Sequence, residues 1–307
     1  MRRRTLIILL ATVVAAVIVT VVTVVGVRRA TVSGPECTVP RRSGAALELD
    51  AVQLQHASTI NAVGIARGLP QRARIIALAT AFQESTMRNL DHGDRDSVGL
   101  FQQRPSQGWG TKDQIIDPVY AAGKFYDALL QVPNWQTEPL TEAAQAVQYS
   151  GFPDAYAKWE DEATTLVAGL GGDAQPELTC RAGATISTAP APARKPLPGT
   201  EKATGPLREL AAAAAAELAR PGGSGGSGGL RIAAVTDNGR TAVIGLALDQ
   251  LPPQVAGRLL GGWLVAHATG FRVLAVQMED RRWSDHRWTT SPGEQRQPAG
   301  RVRVTVG

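Results

Sequence analysis

From Thr5 to Val27 the chain runs for 23 residues without a charge, almost entirely in Ile, Leu, Val and Ala. As a helix that run is roughly 34 Å long, against a bilayer hydrocarbon core of about 30 Å. It predicts an N-terminal transmembrane helix and places everything after it on one side of a membrane. Arg2, Arg3 and Arg4 ahead of the run favour a cytoplasmic N-terminus, and Arg28 and Arg29 behind it weaken that signal without reversing it. A cleaved signal peptide is the alternative, but its apolar region spans about 7–15 residues and ends in small residues. Here the run is longer and meets Gly26-Val-Arg-Arg29. Residues 1–30 therefore read as a cytoplasmic tip and an uncleaved single-pass anchor in the cell membrane, with the C-terminal part extracytoplasmic.

The formal charge of +5 invites a nucleic-acid reading, and its distribution removes it. Five of the 32 basic residues lie in 1–30, and the remaining 27 are balanced by 27 acidic ones. A general polyanion binder is not expected, and no nucleic acid is expected as partner. Cys37–Cys180 carries 11 basic and 17 acidic residues, whereas 181–307 carries 16 and 9, so two parts of opposite sign predict two domains. The two cysteines, Cys37 and Cys180, bracket the acidic part and read as one disulfide rather than a metal site.

Residues 31–44 read as a short Pro/Gly/Ser spacer holding Cys37, and from Ala45 to about Leu170 the spacing is helical. Leu47, Leu49, Val52, Ala57, Ile60, Val63 and Ile65 form one stripe, and Ile75, Ile76, Ala79 and Phe82 form the face of a helix over 71–87. Asp117-Pro118, Leu140-Thr141 and Asp154 start further helices. Between them, residues 88–112 form a polar, glycine-rich stretch without periodicity, and long loops in compact domains tend to be functional. An all-α domain is therefore expected over 31–180, followed by a Pro/Ala/Thr linker at 181–200. Over 201–307 the order helix, two strands, helix, two strands predicts a small α+β domain.

The four histidines, His56, His92, His267 and His286, are scattered without metal-ligand spacing, so neither a metal nor a cofactor is expected. No Gly-x-Ser-x-Gly elbow or phosphate loop occurs. Carboxylate chemistry remains. Glu84 ends an apolar helix, where the negative end of the helix dipole and apolar neighbours disfavour its anion, which suits a general acid.

Four motifs follow in order: Glu84-Ser85, Gly99-Leu-Phe-Gln102, Ala146-Val-Gln-Tyr149-Ser-Gly151 and Tyr156. Together they resemble the ordered motifs of the lytic transglycosylase and goose-type lysozyme superfamily, over about residues 45–170. Within it, the loop Gly99-Leu-Phe-Gln-Gln-Arg-Pro-Ser-Gln-Gly-Trp109-Gly is most similar to that of actinobacterial membrane-anchored, wall-associated lysozyme-like proteins. The resemblance implies a lysozyme-like fold for the helical domain and a peptidoglycan glycosidase, muramidase or lytic transglycosylase, cutting the bond between N-acetylmuramic acid and N-acetylglucosamine. Glu84 would be the acid. Ser85, Gln102 and Tyr156 would line the groove or orient the acid, and Tyr149 would contact the glycan strand. Gln148-Tyr149-Ser150 departs from the superfamily's usual Tyr-Asn-Ala. Trp109 reads equally as a packed loop anchor and as a sugar-stacking platform. Asp94 and Asp96 stand where goose-type enzymes carry a water-activating base, although both also suit a turn. Without such a base the substrate's own hydroxyl attacks and an anhydro-sugar results.

Trp263-Leu-Val-Ala-His267, Arg281-Arg-Trp283 and Val302-Arg-Val304 faintly resemble zinc D-Ala-D-Ala peptidase-like domains. Arg301 and Arg303 occupy the final strand where those domains carry histidines, and Val243 lies near their aspartate, which implies a degenerate, metal-free module. Its excess of arginine makes anionic wall polymers a candidate partner beside peptidoglycan. The rival reading is a wall-binding or scaffold component of a secretion or conjugation apparatus in which Glu84 does no chemistry.

Overall fold

Cys37–Val39 and Leu47–Leu49 each alternate apolar, polar, apolar, the period of a strand, and the chain folds them so, as β1 and β2. Thr179–Cys180 is β3, and the three pair antiparallel in the order β2-β1-β3. The expectation of an all-α first domain is thereby corrected. The sequence reading puts Leu47 and Leu49 at the head of a helical stripe; the structure puts them on a strand of three residues, too short to impose a readable period. In register, Cys37 lies opposite Cys180, and the two close the expected disulfide across 143 residues.

The computed structural model describes residues 37–150, 153–181, 196–218, 229–290 and 296–307. The anchor expected at 5–27 lies outside the described residues, as does most of the linker. Among the described residues no helix is long and apolar enough to cross a membrane.

Helix α1 (Ala51–Ala66) starts on a capping box between Asp50 and Gln53 and is buried around nearly its whole circumference. It packs against α2 (Gln71–Ser85), α4 (Pro118–Leu129) and α6 (Glu160–Leu170), with the short α3 (Lys112–Ile115) and α5 (Leu140–Gln148) completing the helical layer. A 3-10 segment, Pro153–Trp159, leads into α6, where the sequence reading has α-helix from Asp154. Leu54, Ile60, Ile76, Phe101, Phe125 and Tyr126 are fully buried at the centre.

After residue 196 come α7 (Gly205–Leu218), β4 (Gly229–Thr236), β5 (Thr241–Ala247), α8 (Pro253–Ala266), α9 (Ala268–Phe271), β6 (Val273–Met278), β7 (Arg281–Ser284), β8 (Arg287–Thr290) and β9 (Arg301–Val306). The six strands form one antiparallel sheet, β4-β5-β9-β6-β7-β8, covered on one face by α7 and α8. The β7–β8 hairpin falls where no strand is expected. Its two-residue turn, Asp285-His286, has φ of 49° and 65°, the primed-turn geometry, but lacks the glycine that announces such turns in a sequence.

The far side of α1 packs on α7 and α8, so the helical layer and the sheet part share apolar contacts along it. A buried polar knot reinforces the junction. Glu217 of α7 accepts a 2.6 Å bond from the Trp263 indole and lies 3.5 Å from the His267 imidazole, which itself stacks on Trp263. On the other side, the Trp288 indole donates to the Leu178 carbonyl and the His286 ring bonds the Cys180 carbonyl, so the hairpin grips β3.

Candidate active site

Glu84 stands one residue before the end of α2. The helix stops because Thr86 and Met87 turn left-handed, with φ of 52° and 59°, and the Met87 amide reaches back to the Ala81 carbonyl. The Met87 side chain is buried, and its carbonyl accepts from Nδ1 of His56 at 2.7 Å. This hard stop fixes where the half-buried Glu84 carboxyl emerges.

The phenol of Tyr156 donates to Glu84 Oε1 at 2.7 Å, joining residues 72 apart in the chain. Burial, then the Glu84 charge, pushes the Tyr156 hydroxyl well above its ordinary value, so it remains a donor; Ser150 hydrogen-bonds the same phenol. Glu84 Oε2 has no protein hydrogen bond among the described residues. Trp159 holds the preceding residue, its indole donating to Gln83 while its ring stacks on Phe82.

The Gly-Leu-Phe-Gln segment is clamped from both sides. Ser85 donates to the Leu100 carbonyl at 2.8 Å, and Gln148 donates to the Phe101 carbonyl at 2.8 Å. Ser85 is thus a clamp between the helix that carries Glu84 and the loop, and Gln148 is the second clamp. The loop that looks aperiodic in sequence closes on itself through bridges Leu90–Gly99 and Val98–Gln103. Gln102, itself left-handed at φ 48°, accepts from Ser97 and donates to the Gly99 carbonyl. Gly93 lies against it so closely that a Cβ there would sit 1.8 Å from the Gln102 side-chain oxygen.

The two candidate bases differ sharply. Asp96 accepts from Arg104, the Ser106 amide and the Ser106 hydroxyl at 2.8–2.9 Å, and Arg104, followed by the Ser106 bonds, holds its carboxyl far below the usual carboxylate range. It is a loop brace and a weak base. Asp94 has a side chain 95% exposed, with Arg95 as an ion-pair partner 4.0 Å away. Trp109 is partly buried against the core, and its carbonyl accepts from Tyr120. Tyr149 caps α5 in a left-handed conformation, φ 52°, with its ring 86% exposed beside Gln148.

The structure therefore brings Glu84, Ser85, residues 99–102, Gln148 and Tyr156 into one constellation and places Tyr149 at its edge, while Asp96 is tied to Arg104 and Ser106 and Asp94 is exposed. No family model and no curated protein matches this chain. The arrangement itself supplies a carboxyl with one oxygen held and the other without a hydrogen bond among the described residues, beside a loop clamped at Leu100 and Phe101. Gln148, Arg104 and Ser106 stand inside quoted motifs, but their bracing roles do not show in the sequence, because an amide, a guanidinium and a hydroxyl that bind loop groups have no fixed sequence spacing.

Proposed function

We propose that this chain is an extracytoplasmic peptidoglycan glycosidase in which Glu84 protonates the oxygen between N-acetylmuramic acid and N-acetylglucosamine. The Tyr156–Glu84 hydrogen bond carries the reading, because it unites the first and last of four ordered motifs on one carboxyl. Tyr156 fixes Oε1, so Oε2 is the oxygen that presents the proton. After transfer, the same phenol donor stabilises the carboxylate left behind. The clamped Leu100 and Phe101 carbonyls keep the loop from collapsing onto the acid. The commitment of Asp96 to its loop supports attack by the substrate's own hydroxyl and an anhydro-sugar product, with Asp94 as the remaining candidate for a water-activating base. The Cys37–Cys180 disulfide supports an oxidising compartment, and the uncharged run at 5–27 supports attachment to the cell membrane. The six strands of the large sheet hold six arginines and no acidic residue, which supports anionic wall polymers as a secondary contact.

The deciding experiment incubates Glu84→Gln and the parent protein with purified wall and analyses the released muropeptides by mass. The exchange keeps volume and removes the proton; general acid help is worth about 10²–10⁴ in rate. The expected result is anhydro-muropeptides from the parent and none from the variant, with unchanged melting. Near-full release by Glu84→Gln overturns the assignment, and a parent that binds wall without releasing fragments leaves the scaffold reading.

A further inference from the structure

The six-stranded sheet has a second face, turned away from α7 and α8, and the pairing register says which side chains it carries. Val302, Val304 and Val306 of β9 are buried, and Met278, opposite Val302, lies against Gly261 of α8, so these residues mark the helix side. The alternate residues form cross-strand rows on the other side. Arg231, Gly245 and Arg301 make one row across β4, β5 and β9. Arg303, Gln277, Arg282 and Thr289 continue a second row from β9 to β8. A third holds Thr241 and Thr305, whose hydroxyls meet at 3.0 Å, then Ser284 and Arg287.

Arg231, Arg282, Arg287, Arg301 and Arg303 thus stand on one face, spread over five strand spacings, about 24 Å. The remaining strand arginine, Arg281, lies on the helix side over the Trp288 ring. Arg231, Arg287 and Arg301 are exposed, and they and Arg282 have no ion pair among the described residues. No strand residue of the sheet is acidic. The carboxylates of the hairpin turns, Asp237, Glu279, Asp280 and Asp285, come at the strand ends; Asp237 pairs with Arg240, and Glu279 accepts from Gln175. The face also holds no aromatic strand residue, because Trp283 and Trp288 pair with each other on the helix side. It offers guanidinium groups and hydroxyls, without the rings on which nucleic-acid bases stack.

We propose that this arginine face is the docking surface for a flexible polyol-phosphate polymer, which crosses the strands from β4 to β8. The proposal gives the secondary contact with anionic wall polymers a place and a chemistry, and it rests on the extracytoplasmic reading. A guanidinium fork takes two oxygens of one phosphodiester, and the Ser284, Thr289 and Thr305 hydroxyls between the forks suit a polyol. A single phosphate at an exposed arginine gains little against water and salt. Phosphates linked in one chain meet successive arginines at high effective concentration and release counterions together.

The test titrates the full chain, held in phosphatidylcholine nanodiscs, with poly(glycerol phosphate), using empty discs as the blank. Glycerol phosphate, dextran, polyglutamate and oligo(dT) are the comparisons. Saturable binding of poly(glycerol phosphate), about tenfold or more tighter than glycerol phosphate or dextran, is expected, with a loss of about tenfold or more between about 50 and 300 mM salt. The triple variant Arg231→Gln, Arg287→Gln, Arg301→Gln should weaken binding about tenfold or more with unchanged melting, since all three side chains are exposed. Arg42→Gln, Lys112→Gln, Lys158→Gln removes the same charge from exposed positions between the two cysteines and should bind within about twofold of the parent. Glu84→Gln should bind the polymer as the parent does, so failure here and failure of the glycosidase reading are separate results. Absence of saturable binding above empty discs, equal losses in the two triple variants, polyglutamate binding as tightly, or oligo(dT) binding more tightly overturns the proposal.

Discussion

At Glu84 the Tyr156 hydroxyl decides which carboxyl oxygen is engaged and which is open. Tyr156→Phe keeps the ring in its buried seat and deletes only the donor. A hydrogen bond to a charged group contributes roughly 1.5–3 kcal/mol, so about 10–100-fold of the muropeptide release rate should go, with little change in melting. The two aspartates make a contrasting pair. Asp96→Asn should loosen residues 93–108, read as faster amide exchange there, because three acceptor contacts lose their charge. Asp94→Asn should leave both loop exchange and product release close to the parent. A collapse of activity at Asp94→Asn would instead assign it the base role and hydrolysis. His56 adds a pH signature. Burial lowers its imidazole below the ordinary 6.5, so the unfolded chain takes up a proton that the folded chain refuses. Stability should therefore fall as the pH drops below about 6.5, and His56→Gln should flatten that slope in thermal melts.

Among the elements, the most informative contact is the one Ser85 makes between α2 and the Gly-Leu-Phe-Gln segment. Ser85→Ala strands the Leu100 carbonyl in a buried place, a cost of about 1–3 kcal/mol, and should lower both the melting temperature and the release rate. The helices of the first block are legible because stripes such as Ile60-Val63 and Ile76-Ala79 repeat over ten residues or more. Strands β1, β2 and β3 are not, since two or three residues cannot display a period, and their pairing is long-range. The same limit hides the β7–β8 hairpin, whose turn uses Asp285 and His286 where a sequence reader looks for glycine. In the site, Glu84 and Tyr156 are legible as motif members. The commitment of Asp96 is not, because nothing local reveals that Arg104 and Ser106 fold back onto it. Tyr149 carries a different message: an aromatic held left-handed and 86% exposed is strained without gaining burial. Tyr149→Gly should raise the melting temperature slightly while weakening binding to glycan fragments.

For the whole molecule, the disulfide is the longest covalent shortcut. Closing 143 residues constrains the unfolded chain by up to about 5 kcal/mol on the chain-entropy description, so reduction should lower the melting temperature markedly. A reduced protein that melts with the native one would refute that role. The position of this bond also has a mechanical consequence. Cys37 is the first residue of β1, and Cys180 lies in β3, which the Trp288 and His286 contacts fasten to the large sheet. Tension arriving through the segment ahead of Cys37 crosses the bond to Cys180 and continues into the hairpin. Helices α1, α2, α4, α5 and α6, with Glu84 among them, hang beside that line of force as a slack loop. A chain pulled between its ends should keep the Glu84 constellation folded at loads that stretch the rest, and should lose that immunity once the disulfide is reduced.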